Sequence, residues 1–224
     1  MVWFIGVDVG GTFTDFYAFD DEGGGRERVH KTLSTPDNPA RAILGGLDAL
    51  CRAEAIVPAE IGRLGHGTTV ATNALIQRRG AKVALVTTAG FRDLLEIGRQ
   101  TRPRMYDLKA DYPPPLVPRE RRFEIRERIG PRGEVVEPLT ADAVDRAVEQ
   151  VRASGAEACA VCLLFGFLDP AHERRIGAAL RAVLPGLHLS LSSDVRPEFR
   201  EFERFSTTVQ NAYLQPALSR YMRD

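Results

Sequence analysis

Two adjacent glycines near the N-terminus, Gly10-Gly11, constrain this chain more than any other feature, because strand-forming runs flank them closely on both sides. Val2 to Asp8 is short, apolar and rich in β-branched and aromatic residues, which reads as a buried strand. Phe13 to Phe19 follows, with Phe13, Tyr17 and Phe19 at mostly even spacing. Strands so close in sequence must fold back on each other, so a tight hairpin is predicted. Gly23-Gly24-Gly25 marks a second turn, and Arg26 to Leu33 resumes as a third strand. The N-terminus therefore reads as an antiparallel meander.

The pattern then changes to α/β. Thr35-Pro36 has the form of an N-cap followed by proline at the first helical position. Ala40, Ile43, Leu44, Leu47 and Leu50 continue at helical spacing, giving a helix from Pro36 to about Ala53. Ile61 to His66 reads as a strand, Val70 to Arg79 as a helix stopped by Gly80, and Ala81 to Thr87 as a fully buried strand. From Gly90 to Pro138 the chain is irregular, with many arginines and the run Pro113-Pro114-Pro115. Only Arg122 to Glu137 shows an element there, a hairpin about Gly130-Pro131-Arg132-Gly133. Regular structure returns with a helix capped by Thr140 and running to about Ala153. A buried strand from Ala156 to Phe165, a helix from Asp169-Pro170 to Val183 and a strand from Leu187 to Leu191 come next. Glu198 onward reads as a helix laced with surface ion pairs, broken near Pro216 and exposing Tyr213, Leu214 and Leu218 unless something covers them.

Bulk properties narrow the partners. Lys and Arg balance Asp and Glu at 30 each, so total charge gives no attraction to nucleic acid or to an anionic membrane. No apolar run approaches bilayer length, and the N-terminus lacks the form of a signal peptide. Three cysteines make no disulfide framework, which points to a reducing cytoplasm. Cys159 and Cys162 have metal-site spacing, but they sit in an apolar strand on opposite faces and read as core.

Asp8-Val9-Gly10-Gly11-Thr12-Phe13-Thr14-Asp15 carries the most chemistry. Gly10 and Gly11 can take backbone angles closed to other residues and let a phosphate approach the main chain. Backbone N–H groups there, with the hydroxyls of Thr12 and Thr14, would make a neutral anion cradle. Asp8 beside a phosphate makes sense only with a divalent cation between them, directly or through water. The plainer alternative is a glycine turn with a surface aspartate. His66 to Asn73 passes from a strand end to a helix start, where N–H groups and the hydroxyls of Thr68, Thr69 and Thr72 could hold an anion. His66 is either an acid, base or ligand there, or a hydrogen-bonded structural residue. Arg92, Arg99, Arg102 and Arg104 offer guanidinium groups to a carboxylate, or are solvated.

Asp-x-Gly-Gly-Thr between the first two strands resembles the first phosphate motif of the actin, hexokinase and heat-shock ATPase superfamily. The longer Gly-Gly-Thr-Phe-Thr-Asp is similar to the hydantoinase A/5-oxoprolinase branch. His66-Gly67-Thr68-Thr69-Val70-Ala71-Thr72-Asn73-Ala74, Gly90-Phe91-Arg92-Asp93 and Pro197 to Arg204 agree with that resemblance. It implies a ribonuclease H-like lobe over residues 1–77 and a second α/β unit over 78–193 with an irregular insertion at 90–138. Residues 194–224 would form a helical segment leading to a second lobe. No second Asp-x-Gly-Gly follows Thr140, so the resemblance implies a missing lobe or a separately encoded B-type subunit; an oligomer is also compatible with it. The implied activity is ATP-dependent opening of a small cyclic amide through a phosphorylated intermediate. A ketone carboxylase subunit, a small-molecule kinase lobe and a scaffold subunit are the alternatives. The implied cofactors are ATP and Mg²⁺. Asp8 and His66 would be catalytic, with Asp8 also holding Mg²⁺ through water. Gly10, Gly11, Thr12, Thr14, Thr68 and Thr69 would bind nucleotide, and Asn73, Arg92 and Arg99 substrate. This chain alone is expected to bind ATP weakly or not at all.

Overall fold

The computed structural model describes residues 2–21, 25–35, 38–101, 103–107 and 109–223. It divides into two compact units, Met1–Arg79 with Ala217–Asp224, and Gly80–Pro216. Parallel and antiparallel sheets with helices make it a mixed α/β fold.

The first unit holds β1 (Trp3–Val9), β2 (Phe13–Asp20), β3 (Glu27–Leu33), α1 (Pro39–Glu54), β4 (Ile61–Thr68) and α2 (Val70–Ile76). Its sheet has the order β3-β2-β1-β4. The meander forms as expected, with β1–β2 and β2–β3 antiparallel. Gly23 and Gly24 of the second turn lie outside the described residues. β4 runs parallel to β1, which requires a crossover, and α1 supplies it. Trp3, Ile5, Val7, Val9, Phe16 and Ala18 share one face and bury against Leu50 and Cys51 of α1. The opposite face is open, with Tyr17 43% and Val29 75% exposed.

Two helix boundaries differ from expectation. Asn38-Pro39, not Thr35-Pro36, supplies the N-cap and first helical residue of α1. Pro36 itself lies outside the described residues. The Thr35 hydroxyl donates to Asn38 O and accepts from Ala42 N at 3.2 Å, so it ties down the approach to the helix. α2 stops at Ile76 rather than at Arg79, and Arg78 takes a φ of 53°, which a right-handed helix cannot accommodate.

The second unit holds β5 (Val83–Thr88), α3 (Leu94–Ile97), β6 (Arg122–Ile125), β7 (Arg128–Ile129), β8 (Val135–Glu137), α4 (Ala141–Ala153), β9 (Ala158–Cys162), α5 (Ala171–Val183), β10 (His188–Leu191), α6 (Ser192–Val195) and most of α7 (Glu201–Tyr221). The order β10-β9-β5-β6 is parallel throughout. Helices cover such a sheet on both faces, and β5 and β9 are buried at every position. The hairpin expected over Arg122 to Glu137 is only half right. Arg122–Ile125 joins the parallel sheet beside β5, and only β7 and β8 pair as a hairpin. A short alternating run says which side faces the core, not which strand it pairs with. Thr140 caps α4 as expected, accepting from Ala143 N at 3.2 Å.

Other departures concern α7. It continues through Pro216 instead of breaking there. Tyr213 is only 6% exposed, covered by the chain itself, and Leu214 and Leu218 are half-buried. Its ring lies over Gly80, where a Cβ would stand 2.2 Å away. Arg204 is not a surface ion-pair residue but wholly buried, donating from Nη2 to Leu163 O at 2.6 Å. Glu173 is also buried and accepts from Leu163 N at 2.9 Å, Ser192 Oγ at 2.6 Å and Ser193 N at 2.8 Å. Burial pushes the Glu173 carboxyl up and holds the Arg204 guanidinium below its ordinary value. Between these anchors Phe165 adopts a φ of 55°, a conformation disfavoured for a bulky residue. Cys159 and Cys162 are buried, and burial pushes the Cys159 thiol up to about 12. Among the described residues no helix is long and apolar enough to cross a membrane.

Candidate functional site

The hairpin between β1 and β2 closes through Gly10 N, which donates to Phe13 O at 3.0 Å and leaves Gly11 and Thr12 at the tip. Contrary to expectation, neither Gly10 nor Gly11 takes a left-handed φ. Space is what demands glycine. A Cβ on Gly10 would stand 2.9 Å from Phe13 O, and one on Gly11 would stand 3.3 Å from Asn73 Nδ2.

Ser34, directly after β3, braces this tip from behind. Its N–H donates to Thr12 O at 2.9 Å and its hydroxyl to Gly10 O at 2.8 Å. That uses the only hydroxyl proton of Ser34, so Thr14 Oγ1, 3.0 Å away and wholly buried, is the donor in the Thr14–Ser34 bond. Thr14 thus stands behind the loop while Thr12 is exposed at its end. Among the described residues the N–H groups of Gly11 and Thr12 have no acceptor.

α2 is tied to the same place. Thr69 donates to Val9 O from its N–H at 3.2 Å and from its hydroxyl at 3.3 Å. Asn73 Nδ2 donates to Thr69 Oγ1 at 3.1 Å, and Thr68 Oγ1 accepts from Val70 N at 3.2 Å. These bonds draw Asn73 against Gly11. Beside them opens a cleft of about 400 Å³, whose lining includes Gly10, Gly11, Ser34, Asn73, Arg79 and Arg220. Among the described lining residues there are two cations and no carboxylate.

Asp8 lies on the other face of the sheet. It pairs in register with Asp15 and with Gly67, and these residues border an open hollow of about 460 Å³. Lys31 Nζ sits 2.7 Å from Asp15 Oδ1, whereas Asp8 is exposed and has no ion-pair partner among the described residues. His66 pairs in register with Val7, so alternation turns it to the face opposite Asp8. Its Nε2 shares a hydrogen bond with Tyr221 Oη, and the rings lie 5.5 Å apart. The resemblance implies a catalytic role for each of Asp8 and His66, and the register sets them on opposite faces of the sheet. Among the described residues no group of three or more His, Cys, Asp or Glu is placed to hold a metal.

Residues 4–184 match the hydantoinase/oxoprolinase N-terminal region. The chain belongs to this family. The caprolactamase subunit alpha of Pseudomonas jessenii is 41% identical over 226 residues, covering 97% of this chain and 32% of that protein. 5-Oxoprolinase 1 of Arabidopsis thaliana is 33% identical over 245 residues, covering 96% and 19%. The nucleotide-free structure of an acetone carboxylase superposes with a TM-score of 0.88 at 27% identity, covering 98% of this chain and 33% of that one. The chain therefore spans only between about a fifth and a third of the length of these relatives.

Of the arginines singled out in the sequence, Arg92, Arg99 and Arg104 lie in the second unit, each facing a carboxylate. Arg92 Nε is 3.9 Å from Glu124 Oε2, and Arg99 pairs with Glu203. Arg104 faces Asp107 at 3.7 Å, and Arg102 lies outside the described residues. Arg119 grips Asp93 with two bonds, at 2.8 and 3.1 Å, and holds its carboxyl below the usual carboxylate range. This cluster matches its own charges. Sequence reading missed Ser34, Arg79, Arg220 and Tyr221. The Ser34-Thr35 hydroxyl pair closing β3 was a usable signal for the first, since β3 pairs beside the hairpin. Nothing in the sequence links Arg79 with Arg220 and Tyr221.

Proposed function

We propose that this chain is the N-terminal portion of an ATP-dependent cyclic amide hydrolase, and that the Gly10–Thr12 hairpin holds the phosphates of ATP. One observation carries the reading: two N–H groups unclaimed among the described residues, of Gly11 and Thr12, end a hairpin braced by Ser34 and Thr14. Donors fixed before the ligand arrives need no reorganisation when charge develops on a phosphoryl group. The glycine positions fit as well, since a Cβ would fill the approach to the main chain. Asp8, on the opposite face of the sheet beside the hairpin, would hold Mg²⁺ through water, because that ion keeps several waters and takes one or two carboxylates with the phosphates. When bound, ATP supplies the phosphoryl group that activates an unreactive ring amide toward water. The chain's part is to orient that group with Gly11, Thr12 and Asp8.

The meander followed by α1 and a parallel β4 supports a ribonuclease H-like first lobe. The short span against the relatives supports a second lobe supplied by further polypeptide or by a B-type subunit. Three free cysteines fit a reducing cytoplasm. A second reading, activation of a ketone for carboxylation, is favoured by the likeness to acetone carboxylase.

The test measures ADP release by the complete protein with 5-oxoproline, hydantoin, caprolactam, or acetone with bicarbonate. The expected outcome is release that depends on a cyclic amide. Asp8→Ala should lower it roughly 10²-fold or more, with the fold intact because Asp8 is exposed. Release driven by ketone and bicarbonate would move the reading to carboxylation. Full activity in Asp8→Ala would remove the metal role.

A further inference from the structure

We infer that Arg79 and Arg220 form a cationic clamp for the terminal phosphate of the nucleotide, an inference that rests on reading the Gly10–Thr12 hairpin as a phosphate loop. Both arginines line the cleft that Gly10 and Gly11 border. Both are exposed, and among the described residues neither guanidinium has a partner. Some arginines elsewhere are matched, such as Arg28 with Glu54, Arg99 with Glu203, Arg119 with Asp93 and Arg122 with Glu96, and others, such as Arg63 and Arg181, are unpaired among the described residues. What sets Arg79 and Arg220 apart is that both line one cleft whose described lining holds no carboxylate. Acid and base balance over the whole sequence, so the unmatched positive charge here is local. A concave site lined by one sign of charge concentrates ligands of the other.

The charge also answers a deficit in the hairpin. Backbone N–H groups bring only partial charges, whereas a triphosphate carries several full ones. Phosphoryl transfer needs cationic groups on the transferring phosphate. Guanidinium forks match phosphate oxygens with paired hydrogen bonds. Asn73 and Gln77 on the same wall add neutral amide donors.

Local structure sets the two side chains in place. α2 ends at Ile76, and Arg78 at a φ of 53° turns the backbone, while Arg79 N donates to Ala74 O at 2.8 Å. This delivers Arg79 to the cleft instead of continuing the helix. Arg220 sits in the last turn of α7, next to Tyr221, whose hydroxyl is bonded to His66 of β4.

The test titrates tripolyphosphate, MgATP, adenosine and 5-oxoproline into the complete protein, with binding followed by ligand-observed NMR. Wild type is compared with Arg79→Gln, Arg220→Gln, the double variant and both Lys variants. Arg52→Gln serves as control, because Arg52 pairs with Asp48 at 2.8 Å on exposed α1. Each Gln substitution should weaken tripolyphosphate and MgATP about tenfold, with adenosine unchanged and Lys restoring part of the loss. Unchanged tripolyphosphate affinity in the double variant overturns the clamp. So does a loss confined to 5-oxoproline, which would assign the cleft to a ring carboxylate. Gly11→Val separates the two levels of the reading. If it abolishes tripolyphosphate binding and the arginine variants do not weaken it, the clamp alone fails. If neither matters, or the complete wild-type protein binds no phosphate probe, the hairpin reading fails with it.

Discussion

In the first unit, among the described residues, Gly11 and Thr12 end a hairpin with free N–H groups while Arg79 and Arg220 stand without partners; in the second, Glu173 and Arg204 are wholly buried and both bond the backbone of Leu163. The strands differ in the same sense. β1 alternates buried and exposed residues, so one face and the loop end remain open. β5 and β9 are buried throughout, so polar groups at their carboxyl ends depend on partners inside the protein, which Thr88 finds and the Thr87 hydroxyl does not among the described residues. Thr88 accepts from Leu164 N at 2.9 Å and bonds Glu127, which in turn bonds His172 Nδ1 at 2.7 Å. Charged residues at a strand end therefore mean different things in the two units. What separates a binding edge from a scaffold is whether the chain has already satisfied those groups itself.

The largest test of that contrast is Glu173→Ala. It would leave Leu163 N, Ser193 N and the Ser192 hydroxyl without an acceptor and Arg204 without its nearby counter-charge. The expected loss is on the order of 3–5 kcal/mol, read as faster hydrogen exchange across β9 and the loop after it. Glu173→Gln keeps the shape and should lose less. The pH dependence has a definite sign. A carboxyl raised by burial binds its proton more tightly when folded, so stability is greatest below the ordinary carboxylate value. It falls as pH rises from there through the raised folded value, and Glu173→Gln should flatten that slope. Unchanged exchange in Glu173→Ala would mean the buried cluster is not what holds the second unit.

The two units were legible to different depths. Gly10-Gly11 between strand-forming runs leaves little choice but a hairpin, and the apolar runs of β5 and β9 announce strands buried on both faces. Thr140 was readable as a cap because its hydroxyl has a local partner three residues on. What depended on distant pairing was not. The placement of Asp8 and His66 on opposite faces follows only from the register that sets His66 against Val7. β6 alternates like a hairpin strand, and only the fold sets it parallel to β5. Arg204 in a charged helix reads as solvated, yet the loop after β9 gives it acceptors. Arg79 and Arg220 meet one cleft only because the end of α7 belongs to the first unit.

A second test, smaller in effect, asks whether the hairpin is open for a ligand or glycine-rich for its own sake. Gly11→Val forces a side chain toward Asn73 Nδ2, whereas a Cβ on Gly45 of α1 meets nothing within 4 Å. Gly24, in the second turn, lies outside the described residues, so Gly45→Val is the reference. Gly11→Val should weaken tripolyphosphate binding about tenfold or more, and Gly45→Val should not change it. Equal affinities by calorimetry would reduce Gly10-Gly11 to a hairpin device, and the first unit would lose the feature that sets it apart.

The smallest expected effect comes from the brace behind the loop. Ser34→Ala removes the donor to Gly10 O and leaves the wholly buried Thr14 hydroxyl without its partner. An orphaned buried hydroxyl costs about 1 kcal/mol or somewhat more, so Ser34→Ala should speed exchange at the β1–β2 hairpin and leave β9 unaffected. Thr14→Val in the Ser34→Ala background removes the orphan as well as its partner. It should therefore cost less than Thr14→Val alone, giving a coupling of about 1 kcal/mol in the double-mutant cycle. If the brace preorganises the Gly11 and Thr12 donors, tripolyphosphate affinity should fall along with hairpin protection in Ser34→Ala. Additive effects, with phosphate affinity unchanged, would show that Ser34 and Thr14 merely pack beside the loop. The readiness of its free N–H groups would then come from the short turn itself, where Gly10 N is already fixed on Phe13 O.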